Sequence, residues 1–232
     1  MDMPKKGDEF VGSHGIYVLQ EMLGFGANGA VFDITVRDPG PDLSAHGSGY
    51  VIKILTLSDQ IGEEERAKRK ERFNREIRAV LRIRNMRPSS GLAVVPIVDS
   101  YLEVEHSDRA WYVMPKAEDY RSRDVSAIER LKQMKSLGVT LQAIHSKKIY
   151  HRDIKPANLL FYDKKCCLAD FGLVWSRRDD HITGENEPLG PLVLCPPEME
   201  HNMDGLSEET DFRKVDSYLF VKTLWIVLTG NQ

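Results

Sequence analysis

The sequence predicts an α+β fold, with strands in the first part of the chain and mainly helices in the second. Three patterns support this prediction. Apolar runs flank a glycine-rich segment at residues 24–31, which is typical of two strands joined by a turn. Apolar residues recur at helical spacing over residues 63–84 and again over residues 128–144. The 232 residues are enough for one large domain or for two small lobes around a cleft.

Three glycines, Gly24, Gly26 and Gly29, shape the first predicted turn. The apolar residues on either side of it are Tyr17, Val18, Leu23, Val31, Phe32 and Ile34. Because glycine has no side chain, its backbone N–H can approach a phosphate group closely. The pattern alone is weak evidence for phosphate binding, since glycine-rich turns are common.

A lysine in the next predicted strand and an acidic residue on the long helix are candidates for a charged pair. Lys53 lies within Tyr50–Leu55, a short apolar run, and burying a lysine is unfavourable unless it is paired. A lone lysine in a strand is usually exposed, but Glu76 lies beside the apolar stripe of the helix at residues 63–84, as an inward-pointing acid would. Other charges of this helix alternate in sign at i,i+4 spacing, which favours a solvated, self-paired surface over a nucleic-acid site.

The second part of the chain is predicted to hold two helices with a small hairpin between them. The first helix spans residues 128–144, and its apolar stripe consists of Leu131, Met134, Leu137, Leu141 and Ile144. Residues 159–162 and 166–169 flank a turn and form the hairpin. The last helix, Val215–Thr229, is apolar on nearly every side, and Asp216 is predicted to be its N-cap.

Two short segments between these elements concentrate groups suited to phosphoryl transfer. Residues 151–158 read His-Arg-Asp-Ile-Lys-Pro-Ala-Asn, and residues 170–172 read Asp-Phe-Gly. Transfer of a phosphoryl group needs a carboxylate at the nucleophile, a cation at the moving phosphate and oxygen ligands for Mg²⁺. The candidates for these roles are, in that order, Asp153, Lys155, and Asn158 with Asp170.

These segments resemble the H-R-D-x-K-x-x-N and D-F-G motifs of the protein kinase family. Both motifs, in this order and at this spacing, form a highly specific signal. Other motifs of the family have counterparts in Gly24–Val31, Arg72–Ile77 and Pro196–Glu198. The resemblance implies that Glu76 pairs with Lys53. It also implies that Asp216 braces the backbone of the His151–Arg152 turn, in addition to its predicted role as an N-cap. The resemblance covers about residues 16–232.

The resemblance implies a bilobal fold, with a small ATP-binding lobe at residues 1–114, a hinge at residues 115–117 and an incomplete large catalytic lobe at residues 118–232. It implies ATP and Mg²⁺ as cofactors, with Mn²⁺ as an alternative metal. The implied ATP-binding residues are Gly24, Gly26, Gly29, Val31, Val51, Lys53, Met114, Pro115, Ala117 and Leu160. The implied catalytic residues are Asp153, Lys155, Lys53 and Glu76, and the implied metal ligands are Asn158 and Asp170.

The expected activity is transfer of the ATP γ-phosphate to serine or threonine hydroxyls of proteins. Lys155 is typical of serine/threonine kinases, whereas Pro191 is typical of tyrosine kinases, so tyrosine or dual specificity is the alternative. An inactive, kinase-like binding scaffold and a small-molecule phosphotransferase are further alternatives, which the intact motif residues disfavour. Arg152 resembles its counterpart in kinases that phosphorylation activates, with Thr183 preferred over Ser176 as the acceptor. The alternative is a permanent negative charge supplied by Glu185 and Glu187.

The composition agrees with a cytoplasmic enzyme. A net charge of −3 gives no general attraction to nucleic acid, and three cysteines argue against a disulfide framework. No signal peptide and no membrane-spanning stretch is visible. Kinases continue for several helices after the one that matches Val215–Thr229, so we expect a fragment, or a partner or missing C-terminal segment that covers this helix.

Overall fold

The computed structural model describes residues 3–26, 29–41, 43, 49–58, 60–86, 91–102, 110–176 and 211–230. The chain divides into two compact units. The first comprises Met1–Arg84 and Val95–Lys116, and the second comprises Asn85–Val94 and Ala117–Gln232. None of the helices in the described ranges combines the length and the apolar character that crossing a bilayer requires.

An antiparallel sheet of six strands dominates the first unit. The strands are β1 (Glu9–Val11), β2 (Ile16–Gly26), β3 (Gly29–Arg37), β4 (Tyr50–Ile54), β5 (Asp99–Tyr101) and β6 (Trp111–Pro115). Their order in the sheet is β1-β2-β3-β4-β6-β5. The helix α1 (Glu63–Arg84) follows β4 and has the predicted bounds. The predicted strand–turn–strand unit is confirmed as β2 and β3.

The two faces of this sheet differ because side chains alternate along each strand. Ile52 and Ile54 of β4 belong to an apolar cluster that fills one face. The other buried members of the cluster are Tyr17, Leu19, Ala30, Phe32, Ile34, Leu43, Tyr50, Val98, Trp111 and Val113. Lys53 lies between the two isoleucines in sequence, so its side chain leaves the opposite face.

The second unit combines two helices with short strands. Its elements are β7 (Glu118–Asp119), α2 (Ala127–Ser146), β8 (Ile149–Tyr150), β9 (Leu159–Tyr162), β10 (Lys165–Leu168), β11 (Trp175–Ser176) and α3 (Phe212–Thr229). One sheet has the order β10-β9-β7, and β11 pairs with β8. The predicted hairpin is β9 and β10. Its turn residues, Asp163 and Lys164, have φ angles of 47° and 60°.

The segment at residues 85–94 belongs to the second unit, whereas the sequence prediction placed it in the small lobe. The Ala93 N–H donates to the Thr140 hydroxyl of α2 at 2.7 Å. The Ala93 carbonyl accepts from the Leu168 N–H of β10 at 2.9 Å, and Val94 forms a parallel bridge with Leu168. Buried backbone groups need partners, and here the partners lie far along the chain.

Two predictions about the helices of the second unit are wrong. Leu131 was expected in the buried stripe of α2 but is 47% exposed, because the 3.6-residue period carries the stripe through Gln133 instead. Asp216 is not the N-cap of α3. The cap is Asp211, whose side chain accepts a hydrogen bond from the Arg213 N–H, so α3 begins before the apolar run and Asp216 lies inside it.

The three glycines predicted to shape a turn lie in strands, Gly24 and Gly26 in β2 and Gly29 in β3, and they meet different constraints. Gly29 has a φ of +131°, and a Cβ there would lie 2.3 Å from the carbonyl oxygen of Ile54. A Cβ at Gly24 or Gly26 would meet no described atom within 4 Å. The sheet itself therefore requires glycine at position 29, whereas a Cβ at either of the other two positions would be tolerated by the residues that the structure describes.

Alanine at these positions should have unequal effects on stability. We expect Gly29→Ala to lower the free energy of unfolding by about 1–3 kcal/mol or more, because it combines backbone strain with a clash against β4. The matched change Gly24→Ala should lower it by less than about 1 kcal/mol. Chemical denaturation of the two variants and the wild type measures both values, and equal effects would contradict this account of Gly29.

Candidate active site

The predicted pair between β4 and α1 is formed. Lys53 Nζ donates to Glu76 Oε2 at 2.7 Å. Only 12% of the Lys53 side chain and 3% of the Glu76 side chain are exposed. Charges removed from water attract each other more strongly, and leaving either one without its partner is costly. The pair therefore ties α1 to the centre of the sheet.

Sequence reasoning missed Tyr112 of β6, which also binds Glu76. The Tyr112 hydroxyl donates to Glu76 Oε1 at 2.9 Å, and this hydrogen bond is buried. In the register of β4 and β6, Tyr112 lies directly opposite Lys53. A single hydroxyl within the apolar strand Trp111–Pro115 was the available sequence signal, but only the strand pairing connects it with Glu76.

The predicted purine-contacting residues of the first unit share the face of the sheet that carries Lys53. Val31 of β3 lies directly opposite Lys53, and Val51 lies opposite Met114 across β4 and β6. Residues that face each other across antiparallel strands project to the same side. Val31, Val51 and Met114 therefore project away from the apolar cluster. Pro115 is the last residue of β6.

In the second unit, Asp153, Lys155 and Asn158 form one hydrogen-bond network. Lys155 Nζ donates to Asp153 Oδ1 and Oδ2 at 2.9 and 2.7 Å. Asn158 Nδ2 donates to Asp153 Oδ2 at 2.9 Å and to the Asp153 carbonyl at 2.8 Å. Because Asp153 is only 5% exposed, these bonds replace the water that burial removes. The carboxylate is thus held in one orientation.

His151 supports this network as a neutral imidazole. It is fully buried, and its ring meets the Phe171 ring edge-on with 4.5 Å between centroids. His151 Nδ1 accepts from the Asp153 N–H at 3.2 Å, so the proton belongs on Nε2, which lies 3.2 Å from the Ala169 carbonyl oxygen. Burial lowers the pKa of His151, although nearby carboxylates, that of Asp216 foremost, oppose the shift.

Helix α3 holds both ends of the segment that carries Asp153. Asp216 Oδ2 and Oδ1 accept from the backbone N–H groups of His151 and Arg152 at 2.9 and 2.8 Å. The Thr223 hydroxyl donates to the Ile154 carbonyl oxygen at 3.2 Å in a buried contact. Asp216 and Thr223 are seven residues apart, so two helical turns place them on one face of α3. The role of Thr223 was not predicted.

The β9–β10 hairpin connects the two predicted metal ligands. Asn158 precedes β9 and Asp170 follows β10, while Leu160 lies within β9. The Ala169 N–H donates to the Asn158 carbonyl at 3.0 Å, which closes the base of the hairpin. Asp170 has a φ of 60°, and its Oδ1 accepts from the Gly172 N–H at 3.4 Å.

The donor chemistry of Asn158 and Asp170 fits magnesium bound together with a phosphate ligand. Asn158 uses its amide nitrogen for Asp153, so its amide oxygen is the atom suited to a metal. Mg²⁺ commonly takes one or two protein carboxylates and completes its shell with phosphate oxygens and water. Within the described part of the chain, no cluster of three or more His, Cys, Asp or Glu could hold a metal by itself.

Several predicted features lie outside the residues that the structure describes. They are Thr183, Pro191 and the segment Pro196–Glu198. Ala117, the last residue of the predicted hinge, is the first residue of the long segment of the second unit. Ser176 is described as part of the backbone of β11.

Acidification should destabilise the protein through His151. Its pKa in the folded chain is lowered from the ordinary value of 6.5, so the unfolded chain binds the proton more readily. The stabilisation is complete above about pH 6.5 and falls at lower pH, by up to about 1.4 kcal/mol per pH unit. His151→Phe keeps an aromatic ring but cannot bind a proton. When the pH is lowered from about 7.5 to 5.5, the free energy of unfolding should fall less in this variant than in the wild type. Equal decreases would contradict the conclusion that His151 is buried as a neutral imidazole.

Removal of the Thr223 hydroxyl should loosen the segment around Asp153. Thr223→Val keeps the side-chain shape but deprives the buried Ile154 carbonyl of a donor, which costs about 1–3 kcal/mol. Thr229→Val is the matched control, because the exposed Thr229 hydroxyl donates to Trp225 of its own helix at 2.9 Å. Denaturation should show a lower free energy of unfolding, and hydrogen exchange should show faster exchange around Asp153, in Thr223→Val but not in Thr229→Val. Equal effects in both variants would contradict a special role for Thr223.

Several known serine/threonine protein kinases are similar to parts of this chain. Serine/threonine-protein kinase SBK1 of Mus musculus is 34% identical over 103 residues, which cover 42% of this chain and 23% of that protein. The probable serine/threonine-protein kinase YbdM of Bacillus subtilis is 27% identical over 169 residues, 68% of this chain and 57% of that protein. Serine/threonine-protein kinase AfsK of Streptomyces griseus is 24% identical over 213 residues, 90% of this chain and 24% of that protein.

The chain thus spans from about a quarter to somewhat over half of the length of these relatives. The model of the protein kinase domain matches residues 17–212, which is most of the chain. Its match includes both charged networks described above. The chain therefore belongs to the protein kinase family.

Proposed function

We propose that this chain is an ATP-dependent protein kinase that transfers the γ-phosphate to serine or threonine hydroxyls. Membership of the family supports protein kinase function in general and the use of ATP with a divalent metal. One observation carries the proposal. The Asp153 carboxylate is buried and held in place by Lys155 and Asn158, as a group that must meet a substrate hydroxyl in a fixed orientation would be.

The residues of the first unit would bind the nucleotide. Lys53 would contact phosphate oxygens, and Glu76 would hold the lysine ammonium in place. Gly24 and Gly26 would direct backbone N–H groups to the phosphates, and the open space at both positions supports this role. Gly29 would serve by keeping the strands close together. The residues proposed to contact the purine are Val31, Val51, Met114, Pro115, Ala117 and Leu160.

The residues of the second unit would act on the reacting groups. Asn158 and Asp170 would hold Mg²⁺, with Mn²⁺ as the alternative. Bound Mg²⁺-ATP supplies the transferable phosphoryl group and neutralises part of its charge. Asp153 would orient the substrate hydroxyl and accept its proton. Lys155, whose side chain is 27% exposed, would offset the negative charge that develops on the phosphoryl oxygens.

Serine/threonine specificity is supported by Lys155 and by the names of the three relatives described above. Incubation with Mg²⁺, radiolabelled ATP and a generic protein substrate, followed by phosphoamino-acid analysis, tests it. Phosphoserine or phosphothreonine is the expected product. A predominance of phosphotyrosine would instead support the alternative that Pro191 suggests.

The proposed partners are ATP and a protein substrate, without nucleic acid or membrane, in the cytoplasm. Two features support the exclusion of nucleic acid at α1. Lys68 Nζ lies 2.7 Å from Glu64 Oε1, and Arg69 Nε lies 2.8 Å from Glu65 Oε1, so these basic side chains are already paired. Cys166 and Cys167 are free, buried thiols, which suits a reducing compartment.

Substitution of the charged residues should abolish transfer without unfolding the chain. Lys53→Met, Asp153→Asn and Asp170→Asn should each lower the rate by at least about a hundredfold, since each removes a charge used in the transition state. Asp163→Asn, in the exposed β9–β10 turn, is the matched control and should leave the rate unchanged. The rates are measured as phosphate transfer at varied Mg²⁺ concentration, with circular dichroism to verify folding.

Two outcomes would contradict this assignment. Near wild-type activity and normal metal dependence in Asp170→Asn would remove the metal role of that residue. No transfer by the wild type, combined with binding of ATP, would favour an inactive binding scaffold.

A further inference from the structure

The hydroxyl of Tyr112 has no part in the phosphoryl-transfer roles proposed above. Tyr112 and Lys53 are direct partners in the register of β6 and β4, so both side chains project from the same face of the sheet. Their strand neighbours Val113 and Ile52 point into the apolar cluster on the other face. The pairing alone therefore brings a hydroxyl and an ammonium to the same side.

The carboxylate of Glu76 receives one strong donor on each oxygen. Lys53 Nζ donates to Oε2 at 2.7 Å, and the Tyr112 hydroxyl donates to Oε1 at 2.9 Å. Glu76 is 2% exposed and Tyr112 is 4% exposed. A buried carboxylate with a donor on each oxygen has little freedom to rotate, because any rotation breaks at least one charge-assisted hydrogen bond.

The ring of Tyr112 is itself held by helix α1. Phe73 lies three residues before Glu76, and its ring centroid is 5.6 Å from that of Tyr112. Lys53 Nζ lies 5.6 Å from the Tyr112 centroid and 5.9 Å from the Phe73 centroid, so both rings flank the ammonium. Tyr112 therefore contacts two successive turns of α1, through Phe73 and Glu76, and it also contacts Lys53.

We propose that Tyr112 is a positioning residue that holds Glu76 on Lys53. Lys53, Phe73, Glu76 and Tyr112 all belong to the first unit. The catalytic consequence rests on the proposed kinase function, since it requires that Lys53 act on phosphate. The positioning itself does not depend on that function.

Chemical labelling of Lys53 in the nucleotide-free protein tests the positioning. An amine reacts when it is deprotonated, and a neighbouring carboxylate favours the protonated form. Acetylation by an N-hydroxysuccinimide ester, followed at Lys53 by peptide mass spectrometry, should be slow in the wild type. In Tyr112→Phe we expect it to be about tenfold faster or more, because Glu76 loses a buried donor and turns away from the lysine.

Two further variants separate positioning from a general loosening of the fold. Tyr120→Phe is the matched control, because the buried Tyr120 hydroxyl makes no hydrogen bond among the described residues, and it should leave Lys53 labelling unchanged. In a protein that already carries Glu76→Gln, Tyr112→Phe should change the rate of Lys53 acetylation by less than about twofold, because Tyr112 acts through Glu76. Tyr112→Leu serves the same test should the phenylalanine variant fail to fold.

Kinetics supply an independent outcome. We expect Tyr112→Phe to lower kcat/KM for ATP by about tenfold, with the KM for the protein substrate unchanged. The inference would be overturned if Lys53 were acetylated at the wild-type rate in Tyr112→Phe. It would also be overturned if Tyr112→Phe accelerated acetylation as much in the Glu76→Gln background as in the wild type. An inactive wild type with faster labelling in Tyr112→Phe would contradict the proposed function while supporting the role of Tyr112.

Discussion

A carboxylate that loses contact with water must receive hydrogen bonds. Among the described residues, the buried carboxylates of Glu76, Asp153 and Asp216 illustrate how this constraint positions the surrounding elements. Glu76 binds Lys53 and Tyr112, Asp153 binds Lys155 and Asn158, and Asp216 binds two backbone N–H groups and His145 Nε2 at 2.8 Å. If one donor were removed, the buried carboxylate would keep its charge without water or a full set of hydrogen bonds. Because an unpaired buried charge is unfavourable, each unit is most stable in the arrangement that keeps its carboxylates hydrogen-bonded.

The two units meet the constraint by different means. In the first unit, an alternating strand does most of the positioning, because β4 directs Ile52 into the apolar cluster and Lys53 towards α1. In the second unit, the segment around Asp153 has little regular structure of its own. Helix α3 holds it instead through side chains two turns apart, Asp216 and Thr223. A helix is suited to this task, since its backbone bonds are internal and its side chains remain available.

The three glycines of β2 and β3 belong to one sequence motif, but the sheet restricts them differently. Gly29 is needed because any Cβ would clash with the Ile54 carbonyl, a requirement that exists without a ligand. A Cβ at Gly24 or Gly26 meets no described atom within 4 Å, so the described part of the sheet does not require glycine at these two positions.

The sequence alone determined the α+β class, the bounds of α1, the hairpin and the identity of the charged residues, because these depend on local periodicity and on specific motifs. Lys53 and Glu76 were paired correctly because their segments resemble kinase motifs and because a buried lysine needs an acid. The tertiary structure alone decided that Tyr112 faces Lys53, that Thr223 reaches Ile154, and that residues 85–94 join the second unit. It also replaced Asp216 by Asp211 as the helix cap. Each of these depends on strand register or on contacts between distant segments, which local patterns do not encode.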